Sequence, residues 1–316
     1  MGSGSYDPSA FSSYSHTASS QSSNQRRAEA REAVKLHGDW KKTRYSLVTD
    51  EHPRPLPIFV GLDVTGSMQS AHNGLIRGST VHMLEHLVLL GERGKFTPQV
   101  LFAGLADRDD PEGSLQLGAF ESDIRMYQQL GAVHLGGGGG SEHMHEAGYL
   151  DALAFIALKT EIECFTKQGR KGHVFLVGDE YPNAYIPSGE LQGMFGVEHQ
   201  GLSFSEAVAA VRERYHLTTV FAHTASYGML EAKNVLSCWK KLIGADRVLE
   251  IPGSADGLAH VIATQVGVDE GLFTPAESLR HFLDTGTPTE TASVIARAFG
   301  LDINEFVPKA AGFERA

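Results

Sequence analysis

The stretch Ile58-Phe59-Val60-Gly61-Leu62-Asp63-Val64-Thr65-Gly66-Ser67-Met68 decides how the chain is read. Five apolar residues in succession, with no polar alternation, are what a strand buried on both faces requires. The turn that follows carries a carboxylate and two hydroxyls in five residues. Gly66 permits the sharp bend that brings Asp63, Thr65 and Ser67 towards one point. Hard oxygen donors of this kind, with one negative charge and room for water, suit Mg2+ or Mn2+ better than Zn2+.

Working outward, similar apolar runs recur at Val100–Ala103, His173–Val177, Leu217–Ala222 and Arg247–Ile251, with a shorter one at Val133-His134-Leu135. Helical spacing predicts helices over about 74–93, 146–167, 228–242 and from Ser254. Ser203-Phe204-Ser205-Glu206 is a capping-box signature opening another, to about Tyr215. Strands alternating with helices predict an α/β fold, a doubly wound and mostly parallel sheet with helices on both faces. Residues 57–271 form this domain. Before it, residues 1–56 comprise a Ser-rich arm expected to be mobile, a short charged helix over 28–46 and a lead-in punctuated by Pro53, Pro55 and Pro57. After it, residues 272–316 form a helical extension. Thr274-Pro275-Ala276-Glu277 and Thr287-Pro288-Thr289-Glu290 each combine an N-cap Thr, Pro at the first helical position and Glu at the third.

Of the 316 residues, 38 are acidic and 27 basic, a net charge of −11, which argues against nucleic-acid and anionic-membrane partners. A 41% apolar content supports a sizeable core. No apolar run reaches the length of a membrane span, and no secretory h-region follows the start. Two cysteines, Cys164 and Cys238, are too few for a disulfide framework, so a cytoplasmic protein with reduced thiols is expected.

In an open α/β sheet, ligands bind at the carboxyl ends of the strands. Asp179, after the strand His173–Val177, lies beside Asp63 if the two strands are neighbours. The glycines 136–140, followed by Ser141 and Glu142, form a bare loop before a helix.

This constellation resembles the von Willebrand factor A-type (vWA) domain and its metal-ion-dependent adhesion site (MIDAS), whose motif Asp-x-Ser-x-Ser is matched at Asp63-Val64-Thr65-Gly66-Ser67 with Thr in the middle. The form Asp-x-Thr-Gly-Ser-Met, with the charged stretch Ala106-Asp107-Arg108-Asp109-Asp110, resembles the intracellular bacterial branch. The resemblance covers about 57–267. It implies a non-enzymatic adaptor in which Asp63, Thr65, Ser67 and Ser141 hold Mg2+ or Mn2+ while Asp179 orients a coordinated water. The family's second-loop Thr is absent here. Ser141 is its substitute, with Glu142 or Glu146 as alternatives. The resemblance further implies a protein partner that supplies an acidic side chain to the metal, and work beside an AAA+ ATPase or in a stress or conflict system.

Two other readings stand beside it. His82-Met83-Leu84-Glu85-His86 matches the H-x-x-E-H string of zinc metallohydrolases, against which stands a helix face packed on the tail. The glycine loop 136–140 could serve a nucleotide or phosphate, although neither a Gly-x-x-x-x-Gly-Lys-Ser/Thr loop nor a dinucleotide fingerprint after the first strand is present. No Gly-x-Ser-x-Gly elbow supplies a hydrolase nucleophile.

Overall fold

The computed structural model describes residues 5–7, 9–10, 13, 40–68, 80–108, 113–134, 146–223, 227–253 and 257–307. Its centre is a six-stranded sheet made of β1 (Pro55–Asp63), β2 (Thr97–Leu105), β3 (Leu115–Leu117), β4 (Gly172–Gly178), β5 (Tyr215–His223) and β6 (Val248–Pro252). The spatial order is β6-β5-β4-β1-β2-β3, parallel throughout except for β3. The chain is therefore mixed α/β with a mostly parallel sheet.

All nine residues of β1 are buried, as the unalternating sequence demands. Ile58, Val60 and Leu62 enter one apolar cluster and Phe59 the other, so the strand feeds a core on each side. The first cluster takes in α1 (Thr80–Gly94), α2 (Arg125–Ala132), α6 (Leu258–Asp269), α7 (Pro275–Asp284) and α8 (Thr289–Ala298). On the opposite face lie α3 (Tyr149–Lys159), α4 (Phe204–Arg214) and α5 (Tyr227–Ile243). Each fully buried Leu, Ile or Phe in these layers contributes about 1.5–3 kcal/mol of transfer free energy. Among the described residues no helix is long and apolar enough to cross a membrane.

Two of the three prolines of the lead-in, Pro55 and Pro57, belong to β1 itself. Pro55 and Pro57 pair with β2 only, and the second neighbour, β4, joins from Ile58 onward. They thus occupy the one part of the strand that has an open side, where a missing N–H costs no ladder bond.

Several local expectations are corrected. Val133-His134 is not a strand: Val133 caps α2, and the Gln116 side chain takes both backbone groups of His134, accepting from its N–H at 2.6 Å and donating to its carbonyl at 3.1 Å. The additional strand is β3, antiparallel to β2. The helix expected over 146–167 is broken. Glu146–Ala147 is a short strand, α3 ends at Lys159, Thr160–Ile162 is extended, and a helix resumes over Glu163–Gln168. The extended piece pairs with Arg44–Ser46, whose extended conformation likewise replaces the end of the helix expected over 28–46. Residues 40–43 of that segment form a turn, and 28–39 lie outside the described residues. Both capping boxes at Ser203 and Thr274 form, but Thr287 does not cap α8; the N-cap there is Pro288, which has no side-chain donor or acceptor to offer.

Candidate metal centre

The carboxyl ends of β1 and β4 are neighbours, with Leu62 in register with Val177. From β1 the chain passes through α1 on the first face to β2; from β4 it passes through α4 on the second face to β5. Ligands of open α/β sheets bind outside the carboxyl ends of the strands, where this pair ends. Asp63 is the last residue of β1, and Asp179-Glu180 follow β4.

Three carboxylates meet there. Asp63, Asp179 and Glu180 each offer an oxygen within 4.8 Å of the others, and all three residues are buried. Asp63 is fixed from both sides. The backbone N–H and the hydroxyl of Thr65 donate to its Oδ1 at 2.9 and 2.6 Å, and the Tyr149 hydroxyl donates to its Oδ2 at 2.7 Å. The Thr65 hydroxyl also lies 3.4 Å from Glu180 Oε1, a single proton between two acids. The second oxygen of Glu180, Oε2, is buried and has no hydrogen-bond partner among the described residues. Only glycine fits at position 178, because a Cβ there would lie 1.9 Å from the Tyr149 hydroxyl and 2.6 Å from Asp63 Cβ.

The electrostatics follow from this crowding. Burial first, and then the charge of Asp179, push Asp63 up to about 7 against the three hydrogen bonds that favour its ionised form. Glu180 is pushed up to about 9, by burial and then by Asp63, Asp179 and Asp107. Tyr149 is raised well above its usual value, mainly by burial and next by Asp63. A buried carboxylate trio of this kind calls for protons or a cation. Its all-oxygen donor set matches a hard divalent ion.

Of the residues expected at the site, Asp63, Thr65 and Asp179 are brought together. Ser67 lies in the 3-10 turn Gly66–Met68, two positions past Thr65. Ser141, Glu142 and the glycines 136–140 lie outside the described residues. The backbone of Glu146 pairs with Tyr181, the residue after Glu180. Glu180 itself was not anticipated. Its signal was available: an acidic pair, not a single Asp, directly follows the buried strand. In the H-x-x-E-H string, His86 packs its ring 4.7 Å from those of His260 on α6 and Phe282 on α7, the tail-facing role that competes with zinc binding. Among the described residues, the acidic trio is the one group of three potential metal-binding side chains within reach of each other.

No family model matches the chain, and no curated protein matches it. Solved structures do match. The chain is similar to the pilus adhesin SpaC from Lactobacillus rhamnosus GG in its open conformation, at 13% identity over 72% of this chain and 31% of that one, with a TM-score of 0.47. It is similar to proximal thread matrix protein 1 from the mussel byssus, at 13% identity over 69% of this chain and 46% of that one, TM-score 0.40. A variant of the PilB minor pilin from Streptococcus sanguinis matches at 10% identity over 69% of this chain and 62% of that one, TM-score 0.40. The chain thus spans less than two thirds of each, and at these scores the likeness carries no argument about function. None of the three is named as an enzyme. The expected membership of the vWA family, with its MIDAS, is corrected: no family model supports it, and the matched structures are named as a pilus adhesin, a thread protein and a minor pilin. A five-residue motif after a buried strand is short enough to recur on unrelated α/β chains, and a fold does not carry a function.

Proposed function

We propose that the chain is a binding module that holds a divalent cation, Mg2+ or Mn2+, at the carboxyl ends of β1 and β4 and uses it to engage a protein partner. In this reading the sheet is a doubly wound, Rossmann-like domain over 57–271, preceded by the arm of residues 1–56 and extended by 272–316. Asp63, Asp179 and Glu180 supply carboxylate oxygens, Thr65 and Ser67 supply hydroxyls, and Ser141 completes the set from the glycine loop. The partner contributes an acidic side chain to the ion. The cation provides the attraction, since a chain of net charge −11 would otherwise repel an acidic ligand. We keep a cytoplasmic location, which rests on two free cysteines, Cys164 and Cys238.

The observation that supports the reading is the trio itself, three buried carboxylates within 4.8 Å, one of them with an oxygen that has no hydrogen-bond partner among the described residues. Calorimetric titration with Mn2+ and thermal melts in Mg2+ test it. Wild type should bind and melt higher, by about 2.7 kcal/mol of added stability at a hundred times Kd. Asp63→Ala should remove both effects. Absence of any heat of binding or Tm response in wild type overturns the proposal.

A further inference from the structure

Beneath the acidic trio, on the second face of the sheet, two aromatic side chains make polar contacts that packing alone does not require. Tyr149, the first residue of α3, is 1% exposed and donates its hydroxyl to Asp63 Oδ2 at 2.7 Å. Trp239, on α5, is equally buried and donates its indole N–H to the backbone carbonyl of Glu180 at 3.0 Å. The two rings meet edge to face, 5.2 Å between centroids and 88° between planes. Phe204, at the start of α4, braces Trp239 from another side at 5.6 Å and 75°.

We propose that Tyr149 and Trp239 form a bracket that sets Asp63 and Glu180 in mutual register across β1 and β4, and thereby fixes the affinity of the site for its cation. This deepens the metal reading above and rests on it. Neither residue touches the ion; both are positioning residues.

The argument is one of necessity at each contact. A phenylalanine at 149 would fill the same space and pack on Trp239 equally well, so the hydroxyl is there for Asp63. With Thr65 holding Oδ1 through two donors and Tyr149 holding Oδ2 through one, the carboxylate plane cannot swing. Glu180 leaves the sheet just after β4, where no ladder bond fixes it, and the Trp239 N–H supplies the missing anchor. Gly178 leaves open the space the hydroxyl occupies; an added Cβ would stand 1.9 Å from it. Groups that orient metal ligands in this way alter affinity about 10- to 100-fold when removed.

The test is calorimetric titration of Mn2+ into the full chain carrying Tyr149→Phe or Trp239→Phe. Both variants should bind about 10- to 100-fold more weakly than wild type. Each should also show a smaller Mg2+-induced rise in Tm, measured against its own metal-free value, which a purely structural role would leave unchanged. Fluorescence adds a local reading. The chain has two tryptophans, so in a Trp40→Phe background only Trp239 emits, and Mn2+ should quench it in step with binding. Should Tyr149→Phe fail to fold, Trp239→Phe and the quenching decide. Wild-type affinity in the folded variants overturns the bracket and spares the metal reading. A wild type that takes up no Mn2+ overturns both.

Discussion

Strand β4 carries a buried ionisable cluster at each end, and the two are built on opposite principles. At the amino end, His173 is wholly buried between Asp269 and Glu270, at the end of α6, at 3.6 and 3.1 Å. Arg247 reaches both oxygens of Asp269 at 2.9 Å, and Arg170 reaches Glu270 at 2.8 Å. Burial opposes the charge on His173, but its contacts with the two acids outweigh it and raise its pKa. Burial likewise works against the ionised acids, and His173 with Arg247 still holds Asp269 far below the usual carboxylate range. His216, stacked 5.2 Å away, is pushed down to about 4 by burial and then by the charge of His173, so it stays neutral. Every acid in this cluster has a cation. At the carboxyl end, Asp63, Asp179 and Glu180 repel one another, and the donors to Asp63 are hydroxyls and an amide. The acids of the first cluster are paired with cations inside the chain; those of the second need a proton or a cation from outside. That asymmetry is why one end reads as structure and the other as a site.

The largest effect should come from breaking the completed cluster. Asp269→Ala leaves Arg247 and His173 with uncompensated buried charge, and about 3–5 kcal/mol of unfolding free energy should be lost in urea melts. A loss below about 1 kcal/mol would mean that this end is no better paired than a surface bridge. Glu180→Gln, in metal-free protein near neutral pH, should have the opposite sign and a smaller size. It relieves crowding around a group that resists ionisation, so Tm should rise, by about 2–4 °C for each kcal/mol gained. In Mg2+ the ranking should reverse, with wild type gaining more than the variant. A destabilised, metal-free Glu180→Gln would erase the contrast between the two ends.

How far the sequence foretold each end follows from the same physics. Ile58–Leu62 and His173–Val177 were legible as strands because burial on both faces leaves no polar alternation, and Asp63 and Asp179 were legible because carboxylates at the ends of such strands stand out. Glu180 was passed over beside Asp179, since adjacent side chains on an extended chain point to opposite sides; it joins the cluster only because the chain bends after β4. Tyr149 and Trp239 read as ordinary core aromatics, their role being set by partners 86 and 59 residues away. The pairing of Arg44–Ser46 with Thr160–Ile162 was hidden for a similar reason: three residues carry too little pattern to interrupt an apparent helix. The His173 network, joining β4 to the end of α6, is likewise invisible to local spacing.

The two ends should also answer pH with opposite signs, which gives the gentlest test. Asp63 and Glu180 have folded values of about 7 and about 9, above their ordinary ones. Their contribution is fully present below about pH 4 and is lost as pH rises through 7 and then 9. Asp269 and Glu270 are held low, so theirs is present above about pH 4.5 and is lost as pH falls. His173, raised above 6.5, contributes below that value and stops contributing as pH climbs past its folded one. Metal-free protein should therefore melt highest near about pH 4.5, with an acid limb owned by α6 and an alkaline limb owned mainly by the trio. Saturating Mg2+ or Glu180→Gln should flatten the alkaline limb alone; Asp269→Ala should flatten the acid limb alone. Tm profiles from about pH 2 to about pH 9 in the three proteins read this directly. If Mg2+ moved both limbs together, the two ends of β4 would be coupled through the strand, and their separation into structure and site would fail.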